Sequence, residues 1–394
     1  MSSTATGMRP AKPGSRATNA LLVVASVVAT LGLLEAGMRA YYGGAGLPTS
    51  VTFGSNSEIW KQRWLDRHRD QGLEVYYGFD QYHPLFGWST KPNLHAYRFD
   101  GLPPITSNTQ GWRALRDYSY ERSAGVTRIV VLGDSFTFGE RARDEEVWTV
   151  QLEQQLDHTE VFNLGVHGYG TDQQLRVLEE EGIRYHPDVV VLGFFVEDIL
   201  RNGLAFRDYA KPMFVLRDNA LILTNSPVPP PQAILAEAGG QRPWSYLAHF
   251  LRHRFSGDHA ATLDDVVEAR DLFRLTRAIL QKMQDVTTAG GAHLLVVIIP
   301  GRLQMPQVEA ALKQWAGEIG YAVIDVGPGL AAAAQTFQRP VYRDFYHTTL
   351  GDLVMATAVA RTLVERGWVP APSEETMMHL RQRFREVIEQ SPPS

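Results

Sequence analysis

The chain has 394 residues, of which 44% are hydrophobic and 21% are charged, and its formal net charge is -5. This composition is that of a globular protein with a sizeable core, and the acidic balance argues against a nucleic-acid-binding surface. Because the sequence contains no cysteine, disulfide bonds and thiolate metal sites are excluded.

The amino terminus has the pattern of a membrane anchor. Its first 34 residues contain no acidic residue, and Arg9, Lys12 and Arg16 precede the apolar run Ala20 to Leu34. The positive charges predict a single-pass anchor in the cytoplasmic membrane, with the amino terminus inside and the rest of the protein outside the cytoplasm. Alternative interpretations are a cleaved signal peptide, which would leave a secreted or periplasmic protein, and a buried amphipathic helix. We assign residues 1–40 to the tail and anchor.

Residues 41–81 are predicted to form a linker and a surface helix. Glycine and proline interrupt Tyr41 to Ser50, whereas Ile59 to Gln71 has helical spacing with alternating charges. A solvated helix is expected there, and contact of Trp60 and Trp64 with a membrane surface is the alternative.

Alternating strands and helices follow in residues 82–370, which we assign to the main domain. The apolar runs predict five parallel strands in a three-layer α/β/α sandwich with the flavodoxin-like order 2-1-3-4-5. The predicted strands are Ile129–Leu132, Glu160–Leu164, Val189–Phe195, Leu294–Ile299 and Tyr321–Val326. Residues 371–394 are predicted to be an appended helix and tail.

An insertion at residues 206–254 interrupts this alternation. It is expected to contain a hairpin that turns at Asp218 and Asn219, and to lie over the ligand-binding edge of the sheet, where it would select the substrate. His249 and His253 have the four-residue spacing of a metal-binding helix face. No H-E-x-x-H motif accompanies them, so we expect neither a metal nor another cofactor.

Three residues have the chemistry of a catalytic triad. Ser135 follows a buried strand in the sequence G-D-S, and Asp344 and His347 are three residues apart in R-D-F-Y-H. A serine hydroxyl is a poor nucleophile unless a base removes its proton, and a carboxylate can fix the tautomer of that base. A helix-capping turn formed by Asp134 or Ser135 is the structural alternative.

Together with the intervening N-L-G-V-H-G-Y-G-T-D, these motifs resemble the SGNH, or GDSL-type, hydrolase superfamily in its membrane-tethered bacterial form. The resemblance implies Ser135 as nucleophile, Asp344 and His347 as the rest of the triad, and Gly168 in the oxyanion hole with the backbone N–H of Ser135. The resemblance extends to H-P-x-x-G-W and N-x-x-G-x-R segments before the nucleophile. These segments are interpreted as a packing strap, that is, a stretch of chain that packs across the edge of the sheet. Asp134, His167 and Arg113 are candidate substrate-binding residues.

One block departs from the family pattern. Where the family has an asparagine that donates to the oxyanion, this chain has Glu197, and a carboxylate there would repel developing negative charge. Asn202 is a candidate substitute. The expected function is hydrolysis of an acyl ester, acetyl in the favoured case, on a cell-surface carbohydrate. The alternatives are an O-acyltransferase acting on a glycan and a catalytically impaired module that binds a glycan or a protein partner.

Overall fold

The computed structural model describes residues 15–45, 57–68, 78–99, 101–237, 245–248, 251, 267–301 and 305–392. The chain divides into two compact units. One consists of Met1–Thr52 and Ala238–Ala260, and the other consists of Phe53–Glu237 and Ala261–Ser394. The predicted insertion is therefore shared between the two units rather than forming one continuous structure.

The first unit is organised around helix α1 (Ser15–Ala45). Its segment Thr18–Ala40 is long and apolar enough to cross a membrane, and the same properties are found in signal sequences. Near its end, the Glu35 carboxylate accepts hydrogen bonds from Ser245 Oγ at 2.8 Å and from the backbone N–H groups of Tyr246 and Leu247 at 3.0 and 2.8 Å. Glu35 thus caps the helical turn at residues 246–248 in the manner of an N-cap acceptor.

The second unit contains the remaining labelled elements. In chain order they are α2 (Ser57–His68), β1 (Asp80–His83), β2 (Gly87–Thr90), β3 (Thr127–Gly133), α3 (Ser135–Phe138), α4 (Trp148–Glu153), β4 (Thr159–Asn163), α5 (Thr171–Glu180), β5 (Val189–Phe195), α6 (Asp198–Arg201), β6 (Met213–Arg217), β7 (Ala220–Thr224), α7 (Pro231–Glu237), α8 (Val267–Ala289), β8 (His293–Ile299), α9 (Pro306–Ile319), β9 (Ala322–Asp325), α10 (Gly327–Phe337), β10 (Tyr342–Arg343), β11 (Tyr346–His347), α11 (Thr349–Glu365) and α12 (Glu374–Gln390).

The central sheet has the predicted parallel arrangement. Its order is β4-β3-β5-β8-β9, which is 2-1-3-4-5 when these strands are numbered along the chain. All seven residues of β5 are buried, as expected for a strand with helices on both faces. This order places the carboxyl ends of β3 and β5 side by side, where an open α/β sheet binds its ligands.

The carboxyl-terminal helix packs on the core of the second unit. Val387 is 2% exposed, and Leu380, Phe384 and Ile388 pack against the cluster formed by the sheet and α11. Ser373 accepts a hydrogen bond from the N–H of Thr376 and so caps α12. The predicted appendage therefore contributes its apolar face to the fold.

Helix α2 differs from the sequence prediction because it is not solvated. Trp60, Trp64 and Leu65 are buried, and the Trp64 ring lies 5.7 Å from the ring of Phe206 at the start of the insertion. The apolar face of this helix packs on protein, so the membrane-surface interpretation of the tryptophans is also wrong.

The hairpin predicted at Asp218 and Asn219 is confirmed. Strands β6 and β7 pair antiparallel around these two residues, which both have positive φ. Asparagine and aspartate tolerate that conformation better than other non-glycine residues. Two other hairpins, β1–β2 and β10–β11, were not predicted as strands. Their strands are only four and two residues long, too short to show an alternating pattern.

Candidate active site

Ser135 lies at the turn between β3 and α3. The Asp134 side chain caps this short helix by accepting a hydrogen bond from the N–H of Phe136 at 3.0 Å. A Cβ at Gly133 would come within 2.1 Å of Thr137 Oγ1, so only glycine allows the turn to fold back this tightly. The nucleophile prediction and the helix-capping alternative thus describe the same turn, with Asp134 as the cap.

The backbone N–H groups of Ser135 and Gly168 are the two donors that the family resemblance assigns to the oxyanion hole. Gly168, in the loop after β4, has a φ of 77° and is packed against Arg207 and Asp208, which a Cβ would meet at 2.7 and 2.9 Å. Within the described part of the chain, neither the N–H of Ser135 nor that of Gly168 donates a hydrogen bond. Backbone N–H groups that donate to no other atom can donate to an oxyanion.

His347 is held by a different carboxylate from the predicted one. Its Nδ1 lies 3.2 Å from Oδ1 of Asp352, in the first turn of α11. Asp344 instead occupies the exposed turn between β10 and β11 at φ 57°, and it makes no hydrogen bond or ion pair within the described residues. The structure therefore corrects the pairing of Asp344 with His347, because the helix start and not the hairpin turn brings a carboxylate to the ring.

The His347–Asp352 pair is enclosed. The two residues are 6% and 4% exposed, and burial raises the pKa of Asp352, although the hydrogen bond with His347 counteracts this effect. With Nδ1 facing Asp352, Nε2 is the ring nitrogen available to accept a proton. Among the described residues, that Nε2 has no hydrogen-bond partner.

His347 and Ser135 are neighbours that do not hydrogen-bond to each other within the described structure. The ring of Phe136, the residue after the serine, lies 5.2 Å from the His347 ring, and the Tyr346 hydroxyl interacts with Ser135. Ser135 Oγ itself donates to Asp134 Oδ2 at 3.5 Å. Catalytic hydrogen bonds are often long without substrate and tighten when it binds.

A buried ionic network supports the nucleophile turn. Arg201 Nη1 donates to Asp134 Oδ2 at 2.9 Å, to Asp198 Oδ1 at 2.6 Å and to the carbonyl oxygen of Tyr169 at 2.9 Å. The same Asp134 oxygen accepts the Ser135 hydroxyl. Arg201 therefore connects α6 to both the nucleophile turn and the loop that contains Gly168. It was not among the predicted site residues.

His167 pairs with Asp80 and is buried. Its Nε2 lies 2.7 Å from Asp80 Oδ2, which also accepts the Tyr209 hydroxyl at 3.1 Å. Burial favours the neutral imidazole, but the attraction and hydrogen bond of Asp80 outweigh it and raise the pKa of His167 to about 9. The Trp88 indole also donates to the His167 carbonyl at 3.0 Å. The H-P-x-x-G-W segment thus supports the Gly168 loop, as the packing-strap interpretation predicted.

Two of the predicted substrate-binding residues have structural contacts instead. Asn202 is fully buried, accepts the N–H of Asp172 at 3.2 Å and donates to Thr276 at 2.9 Å. Arg113 is 3% exposed and donates to the Ala142 carbonyl at 2.8 Å and to Asp144 at 3.0 Å. Their polar groups are used within the protein, so the structure does not place either side chain in a position to bind substrate.

Glu197 is buried at the start of α6, and its Oε1 is packed against Gly301, where an added Cβ would lie 2.7 Å away. The pair His249 and His253 lies outside the described residues. Within the described ranges, no group of three or more potential metal ligands is present.

A second buried ion pair joins Lys211, at the start of the insertion, to Asp172 at the start of α5. Both side chains are fully buried, and Lys211 also donates to the Leu204 carbonyl at 2.9 Å. The first part of the insertion is therefore attached to the domain next to the Gly168 loop. A lysine within an otherwise apolar stretch, A-K-P-M-F, was the only sequence signal for this contact.

The sequence was compared with protein families, with curated proteins and with solved structures. The sequence profile described as GDSL-like Lipase/Acylhydrolase family matches residues 131–350. Similar solved structures include a member of the lipolytic protein G-D-S-L family from Veillonella parvula, with 14% identity, 61% of this chain and 99% of that chain covered, and a TM-score of 0.38. A lipase/acylhydrolase from Enterococcus faecalis is 15% identical, with 63% and 100% covered and a TM-score of 0.37. No curated protein matches this sequence.

Proposed function

Because this chain belongs to the GDSL-like lipase/acylhydrolase family, we propose that it is a serine-dependent acyl-ester hydrolase with Ser135 as nucleophile and His347 as base. The observation that carries the proposal is that the N–H groups of Ser135 and Gly168, the two backbone donors that the family resemblance assigns to the oxyanion hole, donate no hydrogen bond within the described residues. A binding module has no need for donors directed at developing negative charge.

The proposed reaction has two steps. Ser135 Oγ attacks the ester carbonyl carbon while its proton passes to Nε2 of His347, and the alcohol leaves with that proton. Water then gives a proton to the same nitrogen and attacks the acyl-enzyme, which releases the acid and restores the serine. Asp352 keeps Nδ1 protonated and stabilises the imidazolium that forms in both steps.

The substrate we propose is an acyl ester, in the favoured case an acetyl ester of a cell-surface carbohydrate. The apolar helix α1 supports this assignment, because an anchor with the domain outside the cytoplasm would hold the enzyme near such material. We keep the membrane-anchored form as the proposed state of the protein.

A non-catalytic binding module is the competing function, and Glu197 is the residue that favours it. The side chain stands where the family resemblance implies an asparagine donor. Its carboxylate packs toward Gly301, however, and the two backbone donors remain, so the proposed oxyanion hole does not depend on residue 197.

The test is hydrolysis of p-nitrophenyl acetate, butyrate and octanoate by the full chain in detergent micelles, beside its Ser135→Ala variant. Turnover that is lost in the variant supports the serine hydrolase, and the chain-length preference separates acetyl esters from lipid esters. A folded protein that hydrolyses none of them would favour an acyltransferase, which needs its own acceptor, or the binding module. Fluorophosphonate labelling that persists in the variant would rule out Ser135 as nucleophile.

A further inference from the structure

A cavity of about 470 Å³ lies beside His347. Its wall includes the arginines Arg141 and Arg143 from the segment after α3, Arg343 from the β10–β11 hairpin, and the last residues of α12. His347 is part of this wall, whereas Ser135 is not. The volume is within the range of sites that bind small molecules, so the cavity can hold a part of the substrate other than the reacting ester.

The cavity has an excess of positive charge in a protein whose overall charge is negative. The described lining residues include three arginines and two carboxylates, Glu146 and Asp344. None of the three arginines forms an ion pair with another residue in the described part of the chain. Other arginines of the described domain are paired, as Arg116 is with Glu153 and Arg122 with Asp188. Unpaired guanidinium groups in a concave site are suited to an anionic ligand.

The segment that carries two of these arginines is firmly held. Arg113 Nη2 donates to the Ala142 carbonyl and to Asp144, the two residues on either side of Arg143. Tyr346 donates to Glu140 at 3.2 Å and thereby joins this segment to the hairpin that contains Arg343 and His347. These contacts hold the backbone of both segments relative to the proposed base, while the side chains of Arg141, Arg143 and Arg343 are exposed and accessible to a ligand.

Resting on the proposed function, we infer that this cavity binds an anionic group, a carboxylate or a phosphate, on the molecule whose ester Ser135 attacks. A guanidinium group recognises both anions through paired, charge-assisted hydrogen bonds. The buried His347 Nε2, which has no partner among the described residues, marks where the reacting end of the same molecule arrives. The substrate class is therefore an acylated acidic saccharide and not a neutral one.

The experiment compares acetate release from three matched esters: O-acetylated methyl glucoside, O-acetylated methyl glucuronide and O-acetylated glucose 6-phosphate. With the full chain in detergent, we expect kcat/KM for at least one charged ester to exceed that of the neutral ester by about tenfold, because charge-assisted hydrogen bonds are stronger than neutral ones. The preference should shrink as salt is raised. Comparison of the two charged esters shows whether carboxylate or phosphate is preferred.

The double variant Arg143→Gln/Arg343→Gln should bring the charged-to-neutral ratio close to one, mainly through KM. Arg361→Gln is the matched control, because Arg361 is an exposed arginine on α11 that does not line the cavity. Equal hydrolysis of charged and neutral esters by the native protein, or a ratio that the double variant leaves unchanged, would overturn the inference.

A binding measurement keeps this inference separate from the proposed function. Calorimetry with the Ser135→Ala variant should detect glucuronic acid or glucose 6-phosphate and no binding of glucose, and the arginine double substitution should abolish the signal. If no ester is hydrolysed but this charge-dependent binding is present, the hydrolase proposal fails while the anionic site stands. Absence of binding to both anions overturns the site whatever the activity.

Discussion

Replacement of Asp352 by asparagine should nearly abolish hydrolysis. The Asp352 carboxylate lies 3.2 Å from His347 Nδ1 and is 4% exposed, so no water can readily replace it. An amide at this position cannot stabilise the imidazolium, and it can hold the ring in the tautomer that presents a proton to Ser135. The corresponding change in serine proteases lowers kcat about 10⁴-fold. At this longer hydrogen-bond distance we expect a loss of about 10²- to 10⁴-fold, or about 3–5 kcal/mol in the barrier.

Asp344→Asn is the matched control, because it removes the carboxylate that the D-x-x-H motif predicted while leaving the His347–Asp352 contact intact. Its kcat with p-nitrophenyl acetate should stay within about threefold of the native value, as is usual for an exposed substitution. The assay is single-turnover acylation, which isolates the first of the two steps that need the base. A large loss in Asp344→Asn together with a small one in Asp352→Asn would refute our assignment and restore the motif-based triad.

Substitutions in two buried charged pairs, Lys211–Asp172 and Asp80–His167, test the contacts that support the site. Lys211→Met should destabilise the protein by about 3–5 kcal/mol because it leaves the buried Asp172 without its partner, and the double change with Asp172→Asn should recover most of this loss in thermal unfolding. Because Asp80 raises the pKa of His167 from 6.5 to about 9, the protonation of His167 contributes its full stabilisation just below pH 6.5, and this contribution is lost as pH rises through 9. The native melting temperature should therefore fall more steeply than that of His167→Gln over this interval, by an amount equivalent to about 3 kcal/mol, and parallel curves would contradict the assignment.

The sheet could be predicted because each strand is specified by the pattern of residues within its own stretch of sequence. The run from Val189 to Phe195 is apolar without alternation and rich in β-branched residues, which is typical of a strand covered on both faces. The turn at Ser135 was equally visible, since glycine, a capping aspartate and serine occupy consecutive positions after such a strand. In these places the physical cause lies within about ten residues of its effect.

The electrostatic contacts of the site could not be predicted in the same way. Asp352 reaches His347 because a hairpin and a helix start fold against each other, and spacing along the chain favoured Asp344. Asp80 and His167 are 87 residues apart, and Lys211 and Asp172 are 39 apart. Burial of a charge depends on which partner the tertiary structure supplies, and a single sequence contains no record of that pairing.

The Glu35 cap has a practical consequence for anyone who handles this protein without its apolar helix. A fragment that begins at Tyr41, or a chain cleaved there by a peptidase, loses the carboxylate that receives the donors of Ser245, Tyr246 and Leu247. Those three donors would then lose their carboxylate acceptor. Truncation for solubility is therefore not neutral, because it removes the acceptor that caps the helical turn at residues 246–248, and the folding of such fragments needs comparison with that of the full-length protein.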